Sequence, residues 1–306
     1  MKYDVVVIGS LNYDILIQQD RLPYIGETFI GNELLMMSGG KGANQAVQCA
    51  KLGLKVKFIG CIGNDIYGDE LLKSLRNNNI TTDNIYRRGS NSGIGIVQIL
   101  ETGDYCSTII KGANYLLTKE DIKDAFFENS PLVIFQSEIP PEVVEYAISR
   151  AKFYGCKIIV NNAPARSIPA TILKQIDYLV INETEATFMA NKHVEDINDA
   201  QTCAEELCKN NPSGTVIITL GENGSVFADA NNVTHHPAVF CPQVVDTTGA
   251  GDSFIGGIAW SIIQNIPMNE AIPFAAAIST YSIQKYGGQS SFPMLSDVQH
   301  VLEIKK

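Results

Sequence analysis

Short apolar, β-branched runs recur along the chain: DVVVIG (4–9), KVKFIGCIG (55–63), PLVIFQ (131–136), KIIVN (157–161), DYLVIN (177–182) and TVIITLG (215–221). Stretches with apolar residues at helical spacing lie among them, over 42–53, 67–78, 141–154 and 198–210. Runs without polar alternation suit strands covered on both faces, so this order predicts an α/β fold with a mostly parallel central sheet covered by helices. Two regions break the rhythm, at about 13–38 and 91–111. In the second, two strand-like runs flank the turn signal ETGD, which predicts a hairpin; together the two regions predict a small β-sheet lid. No long Pro, Gly or Ser linker and no internal repeat divides the chain, so residues 1–306 read as a single domain with an inserted flap.

A hydrophobic content of 45% with 18% charged residues belongs to a well-packed globular protein. The net charge of −10 gives no footprint for nucleic acid or an anionic membrane, both of which need clustered Lys and Arg. No segment approaches the length of a spanning helix, and the opening MKYDVVVIGS has too short an apolar run for a signal peptide; a cytoplasmic protein is expected. The seven cysteines (49, 61, 106, 156, 203, 208, 241) form no CxxC pair, and the four histidines have no ligand spacing. Buried thiols are expected, and neither a zinc site nor a histidine triad.

In open α/β sheets ligands bind beyond the carboxyl ends of the strands. Asn12 and Asp14, Glu138, Asn161, Asn182 and Glu185, and Gly221 all follow apolar runs, which points to one shared crevice; singly, each is also ordinary turn chemistry. The stretch VVDTTGAGDSFIGG (244–257) places Gly249, Ala250 and Gly251 before an apolar helical run. Free amides and the positive end of a helix dipole coincide there, and glycine lets a phosphate come close. Asp252 inside such an anion site suggests phosphoryl transfer, with the carboxylate kept ionised by the helix start. The alternative is a glycine-rich turn in which Asp252 only caps the helix. A second cluster, SGGKGANQAV (38–47), fails the P-loop spacing because Lys41 is followed by Gly42 and Ala43. The first strand leads into GSLNYD with one glycine, and GIGIVQ (93–98) lacks a third, so no dinucleotide fingerprint is present either.

Four motifs in order, GGKGANQA, NETEA (182–186), TLGENG (219–224) and DTTGAGDSF, closely resemble the ribokinase-like (PfkB) family of sugar kinases. The resemblance runs from GSLNYD to KYGGQSSFP (285–293), nearly the whole chain. It implies transfer of the ATP γ-phosphate to a sugar hydroxyl, with Asp252 as base and Gly249, Ala250 and Gly251 as the anion hole. It implies that Asn12, Asp14, Gly40, Lys41, Asn44 and Glu138 hold the sugar, and that Asn182, Thr219, Gly221, Glu222 and Gly224 form the nucleotide site. Glu185 would organise Mg²⁺ and its waters. Asp246, Thr248, Ser282, Lys285, Gly287 and Ser291 would match a potassium loop, mostly through carbonyl oxygens. The lysine in the first motif and the Asn-x-Asp after the first strand favour a ribose-phosphorylating member over fructose or nucleoside kinases. A kinase for another sugar or nucleoside, or a catalytically silent sugar-binding protein on the same fold, are the alternatives. Tyr13 departs from the family pattern and would either narrow the sugar pocket or pack in the flap; Ala276 stands where some members put a histidine near the adenine. The lid further implies a homodimer, since an otherwise bare sheet edge invites pairing.

Overall fold

The computed structural model describes residues 2–101, 105–211 and 213–303. In chain order the strands are β1 (Val5–Ile8), β2 (Asn12–Gln19), β3 (Glu33–Gly39), β4 (Val56–Ile62), β5 (Thr81–Arg87), β6 (Gly93–Leu100), β7 (Tyr105–Ile110), β8 (Leu132–Gln136), β9 (Lys157–Asn161), β10 (Tyr178–Asn182), β11 (Thr215–Thr219), β12 (Ser225–Ala228) and β13 (Val233–His236). The helices that matter below are α1 (Lys41–Lys51), α2 (Ile66–Asn77), α3 (Pro141–Phe153), α4 (Ala170–Leu173), α5 (Glu183–Ala190), α6 (Ile197–Asn210), α7 (Ala250–Ile263), α8 (Met268–Ser282) and α9 (Gly288–Ser291).

The large sheet runs β13-β12-β11-β10-β9-β8-β1-β4-β5, parallel from β11 to β5 and antiparallel only at β12 and β13. Its central strands are buried on both faces, as the unbroken apolar runs predict. Val5 and Val7 of β1 join the core on one side and Val6 and Ile8 the core on the other, all four fully buried. Burial of each such side chain is worth about 1.5–3 kcal/mol. The two expected lid segments form a separate small sheet, β3-β2-β6-β7. Its hairpin strands pair antiparallel from Ile94↔Ile110 to Ile99↔Tyr105, while residues 102–104 of the ETGD turn lie outside the described residues. β2 and β6 lie side by side in parallel, which ties the two expected lid segments into one unit.

Three strands have no counterpart in the sequence expectation: β5, β12 and β13. β5 (TTDNIYR) and β13 (VTHH) are sheet edges, with mixed burial and little apolar signal, and β12 is reached by a hairpin return rather than a helix crossover. Among the described residues, no helix is long and apolar enough to cross a membrane. Cys49, Cys61, Cys156, Cys203 and Cys208 are buried free thiols, as expected; Cys106 is exposed and Cys241 half-buried.

Candidate active site

The site forms where α1 and α7 meet beyond the carboxyl ends of β1, β8 and β9. Gly256 allows that meeting: a Cβ there would sit 2.3 Å from Cγ of Gln48, so only a bare backbone lets the helices come this close. One turn nearer the helix starts, the same contact sets Asn44 and Gln45 against Asp252. Asn44 Nδ2 donates to Asp252 Oδ2 (2.9 Å), and Gln45 Nε2 donates to Oδ1 (2.9 Å). Asp252 lies in the first turn of α7, yet its oxygens take donors from α1 rather than amides of its own turn. The capping alternative therefore fails. The helix start is not the only influence on the charge of this carboxylate. Burial raises its pKa, and Lys41, Asn44 and Gln45 oppose that rise.

α7 begins at Gly249 with φ 79°, a left-handed conformation that suits glycine, and no side chain caps the helix. The Ala250 amide donates to the Thr247 carbonyl (3.1 Å). Of the three residues expected to form the anion hole, Gly249 and Gly251 are thus left to offer amides, and Ala250 serves the turn instead.

Glu138, just past β8, is buried, and its Oε2 accepts from Ser10 Oγ (2.5 Å), Asn12 Nδ2 (3.2 Å) and the Lys41 amide (3.2 Å). Burial raises its pKa, against the pull of Lys41 and these donors. Asn12 is buried as well, and its Oδ1 accepts from Asn114 Nδ2 (2.7 Å). Asp14, two residues on along β2, lies against the backbones of Gly39 and Gly95. Its pKa is raised to about 7, first by burial, then by Glu138 and Asp252, while Lys41 and the Gly40 amide hold it down. Strand alternation sends Tyr13 to the opposite face from Asn12 and Asp14, where it packs on Tyr67 with ring centroids 4.7 Å apart. Of the two roles open to Tyr13, packing is the one observed.

Asn182 and Glu185 form a reciprocal capping box at the start of α5: the Glu185 amide donates to Asn182 Oδ1 (2.8 Å) and the Asn182 amide to Glu185 Oε2 (2.9 Å). Glu185 is buried within the electrostatic reach of Lys41 and Asp252, and burial raises its pKa. At the end of β11, the Thr219 hydroxyl donates to the Ile181 carbonyl (3.4 Å), Gly221 has φ 51° with open space on its Cβ side, and Glu222 is exposed. Gly224 is explained by packing, since a Cβ there would meet the His236 carbonyl. Behind α7, Asp246 accepts from the Thr248 amide at Oδ1 and the Gly287 amide at Oδ2, both at 2.9 Å. The hydroxyls of Ser282 and Ser291 donate to the carbonyls of Ser279 and Gly288, and Lys285 Nζ turns to Tyr281, 3.2 Å from its hydroxyl. These side chains do not form a cage, so a cation held there would be ligated by backbone carbonyls. Among the described residues, no three His, Cys, Asp or Glu side chains cluster with metal-ligand geometry.

Asp14, Lys41, Asn44, Glu138, Glu185 and Asp252 are thus drawn into one electrostatic cluster around Lys41. Sequence reasoning passed over Gln45, Gln136, Asn114 and Gln289. The available signal was the polar set Lys41, Asn44, Gln45 and Gln48, all on one helical stripe of α1.

Residues 2–295 match the pfkB family carbohydrate kinase group. The chain belongs to this family. It is 33% identical over 314 residues to the ribokinase of Schizosaccharomyces pombe, covering 99% of both chains. It is 32% identical over 307 residues to the deoxyribokinase of Salmonella typhi, covering 99% of this chain and 100% of that one. Among solved structures, that of Arabidopsis thaliana ribokinase complexed with ribose and ATP superposes with a TM-score of 0.89 at 28% identity, covering 99% of each chain. The enzyme is accordingly a phosphotransferase with an alcohol group as acceptor, on the ribokinase-like α/β fold with its separate four-stranded sheet.

Proposed function

We propose that this kinase transfers the γ-phosphoryl group of ATP to D-ribose, giving D-ribose 5-phosphate and ADP. The observation that carries the reading is a buried carboxylate, Asp252, clamped beside an uncapped helix start and facing the Lys41, Glu138 and Asp14 cluster. In this reading Asp252 accepts the proton of the attacking hydroxyl. A raised pKa brings a base closer to working pH, and a loose phosphoryl transition state needs only a modest one. The Gly249 and Gly251 amides receive charge on the transferred group. Asp14, Lys41, Gly40 and the Oε1 side of Glu138 face the sugar; Asn12 and Asn44, whose side-chain polar atoms already take protein bonds, hold the sugar site in shape.

Asn182, Thr219 and Gly221 border the nucleotide, with Glu222 at the rim. Glu185 suits the water shell of a magnesium ion because its Oε1 is not used by the capping box. Magnesium bound with ATP would neutralise phosphate charge. A potassium ion would be held by carbonyls of the 246–248 and 282–291 segments, next to the anion-binding amides. The lid supports a homodimer, since its strands leave Leu34, Met36, Ile109 and Ile110 exposed on one small sheet. An ATP-consuming sugar kinase fits a cytoplasmic setting.

The deoxyribokinase relative favours a second reading, in which 2-deoxyribose is the preferred sugar. A coupled assay of ADP release over ribose, 2-deoxyribose, fructose and a nucleoside decides between them. Ribose should lead 2-deoxyribose by about ten- to a hundred-fold in kcat/KM, the cost of leaving one buried polar group unpaired. Asp14→Ala should narrow that gap. A lead for 2-deoxyribose selects the second reading, and a lead for fructose or a nucleoside rejects both.

A further inference from the structure

We propose that Gln45 is a positioning residue for phosphoryl transfer, holding Asp252 in place and in its proton-accepting form; the proposal rests on Asp252 being the base. Gln45 is fully buried, and all its side-chain polar atoms are bonded. Its Nε2 spans two acceptors, Asp252 Oδ1 (2.9 Å) and Asn161 Oδ1 (3.2 Å), and its Oε1 accepts from Gln136 Nε2 (2.6 Å).

The direction of this chain is forced from its far end. Asn161 Nδ2 donates to the Val180 backbone carbonyl (3.1 Å), which can only accept. Asn161 therefore presents its oxygen to Gln45, and Gln45 must present its nitrogen. Gln136 meets the remaining Gln45 oxygen as a donor. An amide turned the other way would set oxygen against oxygen at both Asn161 and Asp252. Both Gln45 N–H groups are thereby committed, one of them to Asp252 Oδ1, which is held as an acceptor.

Asp252 Oδ2 is held by a second arm. Asn44 Nδ2 donates to it, Asn44 Oδ1 accepts from Gln289 Nε2 (3.0 Å), and Gln289 Oε1 accepts from Ser74 Oγ (2.7 Å). The two arms start from adjacent residues of α1 and end on different parts of the protein, so the carboxylate plane is fixed at both oxygens. Burial works against a charged Asp252, and Lys41 and the two carboxamides work for it; Asp252 in turn raises the pKa of Asp14, Glu138 and Glu185 around the same lysine. Without the Gln45 donor the carboxyl would protonate more readily and rotate more freely.

The test compares Gln45→Leu, Gln136→Met, Asp252→Asn and the Gln45→Leu/Asp252→Asn double variant in ADP-release kinetics across pH, with thermal unfolding alongside. For Gln45→Leu, kcat should fall about ten-fold, the effect of one hydrogen bond to a charged group, while sugar KM stays within about two-fold. The acid limb of its kcat profile should move to higher pH, since a donor to the charged form is gone. In the Asp252→Asn background, the same substitution should cost less than about two-fold. Gln136→Met, which only releases the Gln45 oxygen, should show the same signs more weakly, and it decides the matter if Gln45→Leu does not fold. An unmoved acid limb, a loss confined to KM, or an undiminished cost in the Asp252→Asn background overturns the positioning role. Near-normal turnover of Asp252→Asn alone overturns the base reading instead, so the two failures are distinguishable.

Discussion

The α1–α7 contact and the lid sheet both supply carboxylates to the site, but they hold them differently. Asp252 sits between two helices, with both oxygens taken by carboxamides whose own partners are buried. Asp14 sits on β2 of a sheet whose neighbouring strand β3 is largely exposed, and it is steadied mainly by bare glycine backbone. The first arrangement fixes direction at every bond; the second leaves a carboxyl whose charge depends on its surroundings. A base must meet the reacting hydroxyl at one angle, whereas a sugar-binding group on a lid needs to come and go with substrate. Under the proposed function, the contrast would give the chemistry to the frame and recognition to the small sheet.

The sharpest way to break this division is Asp252→Asn, which keeps size and one of the two hydrogen bonds but removes the proton acceptor. Turnover should fall by roughly 10²-fold or more, with little change in sugar affinity measured by calorimetry. A variant that turned over nearly as fast as the parent, or that lost affinity instead, would move the chemistry out of the frame.

A smaller effect is expected behind α7. Potassium added to a sodium- or choline-only buffer should raise kcat a few-fold and leave sugar KM nearly unchanged, because the proposed cation near Asp246 and Thr248 would order the adjoining Gly249 and Gly251 amides and not the small sheet. Asp246→Ala, which loses bonds from the Thr248 and Gly287 amides, should abolish the response. Equal parent rates in potassium-free buffer would remove the cation from the frame's function.

Much of this division was legible in the sequence. The central strands announce themselves because burial on both faces removes polar alternation, and β1, β8, β9, β10 and β11 fall where VVVI, LVIFQ, KIIVN, YLVIN and TVIIT stand. Edge strands such as β5 and β13 carry no such mark, since half-buried, polar-rich runs read equally well as loops. The glycine motifs gave away the helix starts at Lys41 and Ala250, where backbone geometry restricts the choice of residue. Gln45 and Gln289 stayed hidden for another reason. Asp252 lies 207 residues from Gln45 and Asn44 lies 245 from Gln289, and nothing local says which carboxamide a fold will aim at a carboxylate. The burial of Asp252 stayed hidden on the same ground: the helix start was visible locally, while the packing that raises the pKa of its carboxyl was not.

The smallest effect concerns stability, and it tests whether the lid carboxyl is indeed the charge-labile one. With its pKa raised from 3.8 to about 7, Asp14 is penalised in the folded protein only when it is charged. The cost is therefore absent well below pH 3.8, grows as the pH climbs through that value toward 7, and is complete above it. Asp14→Asn removes the charge while keeping an oxygen for the Gly40 amide. Without sugar present, the variant should unfold about 2–4 °C above the parent at pH 8, the shift that roughly 1 kcal/mol makes in a chain of this order of size. Asp14 is only half-buried, so solvent screens part of the penalty. The gap should close as the pH is lowered toward 4, where the parent's carboxyl is already neutral. A gap that does not change between pH 4 and 8 would mean that Asn simply packs better against Gly39 and Gly95, and the lid would then hold its carboxylate as firmly as the frame holds Asp252.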